Sequence, residues 1–273
     1  MFLTPSKARL NQIRESNQDQ PDWLFLPGGP GLGSESLLTL IQILDVPGNY
    51  WCIDLPGDGS NRYSDNGRAF SHWASALIEA VAHFKQGILV GHSTGGMQAL
   101  HLPDLEKYLK GLILLDAAPD SRWQNVFAEE LKKNPIPGWS DLMNKYKNHP
   151  SDETLKALTL ASTPYLFTHE GRNAGHKLLE SLPYNYQSCG WSEKHFDPIY
   201  RAKWIPIEIP TFIISGEEDK LTPLTLFLQE ESWHRDNIHF KLIRKAGHYP
   251  WIENPDEVRN VFREYFTRYF HRK

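Results

Sequence analysis

The segment ILVGHSTGGMQAL, residues 88–100, holds one small nucleophile, Ser93, bracketed by Gly91, Gly95 and Gly96. A serine hydroxyl is a poor nucleophile at its free pKa, so chemistry at Ser93 needs a base to take its proton and a carboxylate to orient that base. Both occur downstream: GEED at 216–219 and AGH at 246–248 each follow an apolar run, as GHSTG does, so the chain order is serine, acid, histidine. Agreement in type, order and position is far more specific than a Gly-x-Ser-x-Gly pattern alone. The glycines suit a sharp strand-to-helix turn, in which a strained serine backbone brings the residues two before and two after too close for side chains. Of the twelve histidines, His248 is singled out by its place after the last apolar run. Glu217, Glu218 and Asp219 all stand in the acidic loop, and Asp116, at the end of an earlier run, is a further acid that reads as a loop brace.

Other constellations carry less. GGPGLG at 28–33 has the glycine spacing of a phosphate loop, but Ser34 stands where that loop needs a lysine, and GPGLGS does not fit G-x-G-x-x-G, so nucleotide binding is disfavoured. His72, Glu79 and His83 have poor ligand spacing on a helix, and no metal is expected there. His92 should point away from Ser93 on an extended backbone and reads as structural support. Cys52 and Cys189 are far apart and outside any Cys-x-x-Cys pattern, which suggests neither a disulfide scaffold nor a zinc site and fits a reducing compartment.

The elements that must position these residues are legible as short apolar runs: DWLFLPGG (22–29), NYWCIDLPG (49–57), GILVGHS (87–93), GLILLDAAP (111–119), PTFIISGEED (210–219) and HFKLIRKAGH (239–248). They are too short for buried helices and too continuous for one-sided strands, so they predict parallel strands covered on both faces. Between them lie stretches of helical period, SESLLTLIQIL and HWASALIEAVAHF. The last such stretch runs over 254–270, with Asn254 as cap, Pro255 in the first turn and an apolar stripe of Val258, Val261, Phe262, Tyr265 and Phe266. The alternation predicts an α/β fold, a mostly parallel central sheet flanked by helices. Residues 120–205 contain no strand-like run, only helical segments, prolines and aromatics that include Trp123, Phe127, Trp139, Tyr165, Phe167, Tyr184, Trp191 and Trp204. This interval predicts a helical cap inserted over the strand ends, with residues 1–119 and 206–273 as the core domain. Most of its aromatics should pack within it, and the rest should line a cleft for an apolar acyl or aryl group.

With 273 residues, 40% of them apolar, the chain can bury one large core, and its net charge of −4 is spread along the length. That balance disfavours nucleic acid and anionic membranes as partners and leaves a small molecule. The N-terminus lacks the apolar core of a signal peptide and no run approaches the ~20 residues of a membrane span, so a cytoplasmic protein is expected. The terminal RYFHRK reads as cations completing a last helical turn.

Taken together, the chain resembles the α/β-hydrolase family over essentially its whole length. The resemblance rests on the serine turn GHSTG, the loop LPGGPG at 26–31, the turn DLPGDGS at 54–60 and the ending GHYPWIENP. Pro27 and Asp58 stand where the family often has histidine. The resemblance favours Asp219 as the acid and implies nucleophilic acyl transfer: Ser93 attacks, His248 takes its proton, and Asp219 holds the imidazole. It also implies that the N–H groups of Gly29 and Thr94 receive the oxyanion, that Gly91 and Gly95 shape the serine turn, and that no cofactor is required. The short N-terminus predicts a sheet reduced in its opening antiparallel strands.

The expected activity is that of a serine hydrolase acting on a small to medium, apolar carboxylic ester. An aminopeptidase similar to the proline iminopeptidases is the alternative; it would need an acidic anchor for the substrate's ammonium, for which Glu170 is a choice. A carbon-carbon bond hydrolase is a third option, and a catalytically silent binding protein on the same fold is the non-enzyme alternative.

Overall fold

All but the last of the continuous apolar runs form strands largely buried on both faces, and successive side chains along them enter two different cores. The computed structural model describes residues 1–16, 20–62 and 68–271. Its strands are β1 (Phe2–Leu3), β2 (Arg9–Arg14), β3 (Asp22–Leu26), β4 (Asn49–Asp54), β5 (Gly87–His92), β6 (Leu109–Leu115), β7 (Thr211–Gly216) and β8 (Ile238–Ile243). They make one eight-stranded sheet in the order β1-β2-β4-β3-β5-β6-β7-β8. Trp23, Phe25, Ile88, Val90, Ile113 and Phe212 face one core. Leu24, Leu26, Leu89, Leu112, Leu114 and Ile213 face the other. The period of two along each strand is what divides them.

Helices cover both faces: α1 (Leu38–Ile43), α2 (Trp73–Ala82) and α3 (Thr94–Leu100) before β6, then α4 (Trp123–Lys133), α5 (Trp139–Asn148), α6 (Asp152–Ala161), α7 (Thr163–Leu166), α8 (Arg172–Glu180) and α9 (Tyr186–His195) between β6 and β7, and finally α10 (Thr225–Leu228), α11 (Pro250–Glu253) and α12 (Pro255–Tyr269). Helix α2 lays Ala76, Leu77, Ala80 and Val81 on the second core. Helix α12 lays Val258, Val261, Phe262, Tyr265 and Phe266 on the first. The Asn254 side chain accepts from the Glu257 N–H at 3.3 Å, and Pro255 occupies the first turn, where a missing N–H costs nothing. Arg268 lies in the last turn of α12; residues 272–273 of the basic ending lie outside the described residues.

The expectation of a reduced sheet is wrong. β1 and β2 are present and antiparallel, with Leu10 opposite Ile53 and Asn11 opposite Cys52. In RLNQIR only Leu10 is fully buried and the other side chains reach water, so this half-solvated strand leaves no continuous apolar run.

The six helices between β6 and β7 leave and return at one place: Asp120 bridges Arg201, the Ala202 N–H donates to the Pro119 carbonyl at 2.7 Å, and the Tyr200 hydroxyl donates to the Ala118 carbonyl at 2.8 Å. Phe127, Trp139 and Tyr165 pack edge to face within this segment. Trp204 instead joins the core beneath, its indole N–H donating to the Ala99 carbonyl at 2.8 Å. Among the described residues no helix is long and apolar enough to cross a membrane.

Candidate active site

Strands β5, β6, β7 and β8 are successive neighbours in the sheet, so the loops at their carboxyl ends emerge side by side. Ser93 follows β5, Asp116 follows β6, Asp219 lies just beyond β7, and His248 lies beyond β8. Proximity of residues 155 positions apart is therefore a consequence of parallel strand order rather than of local sequence.

At the turn between β5 and α3, Ser93 has φ 50° and ψ −123°, a conformation that costs a non-glycine residue on the order of 1–3 kcal/mol. Its neighbours explain the bracketing glycines. A Cβ on Gly91 would lie 2.7 Å from the Cα of Gly96, and one on Gly95 would strike the carbonyl oxygens of Leu26 and Pro27. The serine is thus held where strand, helix and the loop after β3 meet.

The three side chains expected to work together are in contact. Ser93 Oγ lies 3.0 Å from His248 Nε2, and His248 Nδ1 lies 3.1 and 3.2 Å from the two carboxylate oxygens of Asp219. All three residues are buried. Burial alone would raise the Asp219 pKa, but the His248 imidazole, the Leu221 N–H and the Thr222 hydroxyl outweigh it and hold the carboxyl below its ordinary range. Glu217 and Glu218, by contrast, are exposed. Glu217 accepts from the Lys245 N–H at 3.1 Å.

Asp116 is fully buried next to this group, and ligand-type atoms of Asp116, Asp219 and His248 lie within 4.8 Å of one another. Such a set could in principle hold a cation. Here, however, Asp219 is already met by two backbone N–H groups, the Thr222 hydroxyl and the imidazole, an arrangement of hydrogen bonds rather than of open ligands. The weaker cluster on α2 is spent elsewhere: Glu79 accepts from the Ser6 N–H and hydroxyl, both at 2.7 Å.

His92 sits where a brace is needed. Burial pushes its pKa down to about 3, so the ring is neutral, and Nε2 lies 3.0 Å from the His248 carbonyl oxygen, to which it must donate. Its ring packs at 5.0 Å against that of His248 and at 4.9 Å against Trp251. The residue next to Ser93 therefore supports the backbone of the histidine loop.

Gly29 (φ 57°) and Thr94 border the same space as Ser93, and neither N–H has an acceptor among the described residues. In the loop after β3 Pro30 has no N–H, and that of Gly31 is taken by Asp58 Oδ1 at 2.6 Å. Asp58, where the family often has histidine, thus secures this loop. Burial, reinforced by the charge of Asp54, pushes its pKa up to about 7.

The cavity over Ser93 measures about 250 Å³. Gly29, Ser93, Thr94 and His248 form one end, and Met97, Trp123, Leu155 and Leu166 give it largely apolar walls. Of the aromatics named in the helical segment only Trp123 lines it. Tyr165, Phe167 and Tyr184 are buried in packing instead. Glu170 is exposed and away from the cavity. Two acids not singled out in the sequence, Glu193 and Asp197, do reach it. Burial raises both, Asp197 to about 6. Thr222 was also missed, since a threonine three residues past an aspartate carries no distinctive signal.

Comparison with known proteins agrees with this architecture. Residues 23–261 match the sequence profile described as "Alpha/beta hydrolase family". The chain is 24% identical over 258 residues to a pimeloyl-[acyl-carrier protein] methyl ester esterase of Xylella fastidiosa (strain M23), covering 86% of this chain and 91% of that protein. An alpha/beta fold family hydrolase from Bacillus anthracis str. Sterne superimposes with a TM-score of 0.73 at 18% identity, covering 96% of each chain. A proline iminopeptidase-related protein from Thermus thermophilus gives a TM-score of 0.72 at 19% identity, over 96% of this chain and 94% of that one. With the profile spanning most of its length and the sheet matching its neighbours, the chain belongs to the alpha/beta hydrolase family and is an enzyme of the hydrolase class.

Proposed function

We propose that the protein is a serine hydrolase that cleaves small to medium carboxylic esters with a largely apolar acyl group through an acyl-enzyme. The observation that carries this reading is the unbroken contact from Ser93 Oγ to His248 Nε2 at 3.0 Å and from His248 Nδ1 to Asp219 at 3.1 Å. In the reaction His248 removes the serine proton as Oγ attacks the ester carbonyl. Asp219 stabilises the resulting imidazolium, and the N–H groups of Gly29 and Thr94 receive the oxyanion. His248 then protonates the departing alcohol. A water deprotonated by the same imidazole hydrolyses the acyl-Ser93 ester, returning the free serine. Residues 120–205 act as a cap whose inner side meets the acyl group, while residues 1–119 and 206–273 carry the reacting groups. The apolar walls of the cavity support the choice of acyl group. The relative from Xylella, named as a methyl ester esterase, supports the reaction class.

Glu193 and Asp197 favour one second reading, an aminopeptidase of the proline iminopeptidase type in which these carboxylates bind a substrate ammonium. Nitrophenyl esters of graded acyl length assayed beside aminoacyl nitroanilides separate the two. Faster turnover of neutral esters supports the esterase, and a preference for the aminoacyl series supports the peptidase. Labelling with a fluorophosphonate followed by peptide mapping tests the nucleophile. Ser93→Ala and His248→Ala should each abolish labelling and lower turnover by ~10⁴-fold. Label on any residue but Ser93 would overturn the mechanism, and hydrolysis of neither series would favour carbon-carbon bond substrates or a catalytically silent binding protein.

A further inference from the structure

Asp116 stands beside the relay of Ser93, His248 and Asp219, and the acyl-transfer scheme leaves it idle. It is wholly buried at the carboxyl end of β6, in a left-handed conformation with φ 44°. Its Oδ1 accepts from the Gly216 N–H at 2.8 Å, whereas Oδ2 is buried and receives no hydrogen bond among the described residues. A polar atom of this kind is costly unless it donates rather than accepts. The neighbour that could accept is Asp219: one carboxylate oxygen of Asp116 and one of Asp219 lie within 4.8 Å of each other. Two carboxyl groups so close and so dry do not both ionise; one keeps a proton.

The placement of that proton follows from the partners of each acid. The N–H groups of Leu221 and Thr222, the Thr222 hydroxyl and His248 all favour the charged form of Asp219. Asp116 has the single Gly216 donor on Oδ1, with the Ser215 hydroxyl beside the carboxyl as a lesser aid to ionisation. We propose that Asp116 is a neutral carboxylic acid whose Oδ2 proton is donated to the Asp219 carboxylate, which makes it a positioning residue for the serine, histidine and aspartate relay. Burial first and the Asp219 charge second push the Asp116 carboxyl well above its ordinary range. The other groups facing the pair are His248, the neutral His92, and Tyr249, whose phenol burial holds protonated. Functionally, the acid fixes the carboxylate without adding a second negative charge. Such a charge would hold a proton on the imidazole and disable it as a base.

The proposal rests on the hydrolase reading for its meaning, but part of its test does not. Infrared spectra of the wild-type protein at about pH 8, far above the usual carboxylate pKa of about 4, should contain protonated-carboxyl absorption that Asp116→Asn lowers by the equivalent of one carboxyl group, beside the residual contribution of Asp58. No such absorption in the wild type, or absorption undiminished in Asp116→Asn, overturns the proposal whether or not Ser93 reacts. Asparagine keeps both the acceptor for Gly216 and a donor for Asp219. Asp116→Asn should therefore label with fluorophosphonate at the wild-type rate, with the acid limb of the labelling profile at the same pH. Asp116→Leu should label roughly tenfold more slowly or worse, the worth of one hydrogen bond to a charged group. An acid limb displaced downward by roughly a unit or more in Asp116→Asn would mean that a negative charge had been removed, and Asn as slow as Leu would mean that the donor is idle; either result overturns the proposal. Failure of wild-type Ser93 to label would sink the hydrolase reading while leaving the infrared result to decide the protonation of Asp116.

Discussion

The Thr222 hydroxyl lies 2.7 Å from Oδ2 of Asp219, so the carboxylate behind His248 is held from a side that the serine, acid and histidine pattern in the sequence does not disclose. The same hydroxyl is 2.7 Å from the Asp116 carbonyl and 3.3 Å from His248 Nδ1. With one proton to give, it either donates to Asp219 within the acid loop or pins that loop to the end of β6. Thr222→Val preserves shape and the backbone N–H but leaves a buried carboxylate short of one donor. The expected result is a fall of about 10-fold in kcat/KM on the best nitrophenyl ester, with Thr222→Ser close to wild type. Equal rates for Thr and Val would show that the hydroxyl serves the β6 carbonyl alone.

The difference between what the sequence discloses and what it hides has a physical pattern. Five of the apolar runs became β3–β7 because strands largely buried on both faces need apolar residues at nearly every position, and the sixth became the edge strand β8, in which Leu242 is exposed. β2 leaves no apolar run in the sequence because only Leu10 of its six residues is fully buried. Ser93, His248 and Asp219 are legible because each stands in the turn or loop just beyond a strand, and strand ends converge by topology. Thr222, Glu193 and Asp197 were not, because their relevance depends on which neighbours the fold turns toward Ser93 and Asp219. Of the aromatics between β6 and β7, Phe127, Trp139 and Tyr165 pack within that segment, whereas Phe167 stacks on Tyr249, Trp191 packs on Phe70 and Trp73, and Trp204 joins the second core, so that Trp123 meets leucines, a methionine and two acids at the cavity wall. Periodicity identifies a buried face without saying what it is buried against.

Asp58 offers a prediction in pH. Its Oδ1 accepts from the N–H groups of Gly31 at 2.6 Å and Gly59 at 3.0 Å, in a setting where burial and Asp54 raise its pKa to about 7. The folded state therefore binds a proton that the unfolded chain, titrating near about 4, gives up earlier. This contribution to stability is fully present below about pH 4 and is lost as pH rises through about 7. Asp58→Asn keeps an acceptor for both N–H groups and removes the titration. Thermal melts across that window should show the difference between the two proteins moving steadily in favour of the asparagine variant as pH rises. A difference constant with pH would contradict the assignment.

Glu253 joins the two halves of the site. One oxygen accepts from the Thr168 N–H at 2.8 Å and the Thr168 hydroxyl at 2.6 Å, on the helical segment; the other accepts from the Gly247 N–H at 2.7 Å, next to His248. The His248 N–H reinforces the junction by donating to the Leu166 carbonyl at 2.8 Å. Position and charge both matter, since no neutral side chain offers two acceptor oxygens of this reach. Glu253→Gln must turn an N–H₂ toward one donor and lose that bond. Glu253→Ala frees every donor, at about 1–3 kcal/mol for each one left without an acceptor. Melting temperature should fall in the order wild type, Gln, Ala, and Ser93 labelling should slow in the same order because the imidazole loses its anchored loop. Gly171→Ala gives an independent check, since a Cβ there would collide with the Glu253 carboxyl and displace it without touching its chemistry. If Glu253→Ala melts and labels as the wild type does, the junction is held by the Leu166 to His248 bond alone; if Gly171→Ala reproduces the Gln defect, the carboxylate's position is what the imidazole depends on.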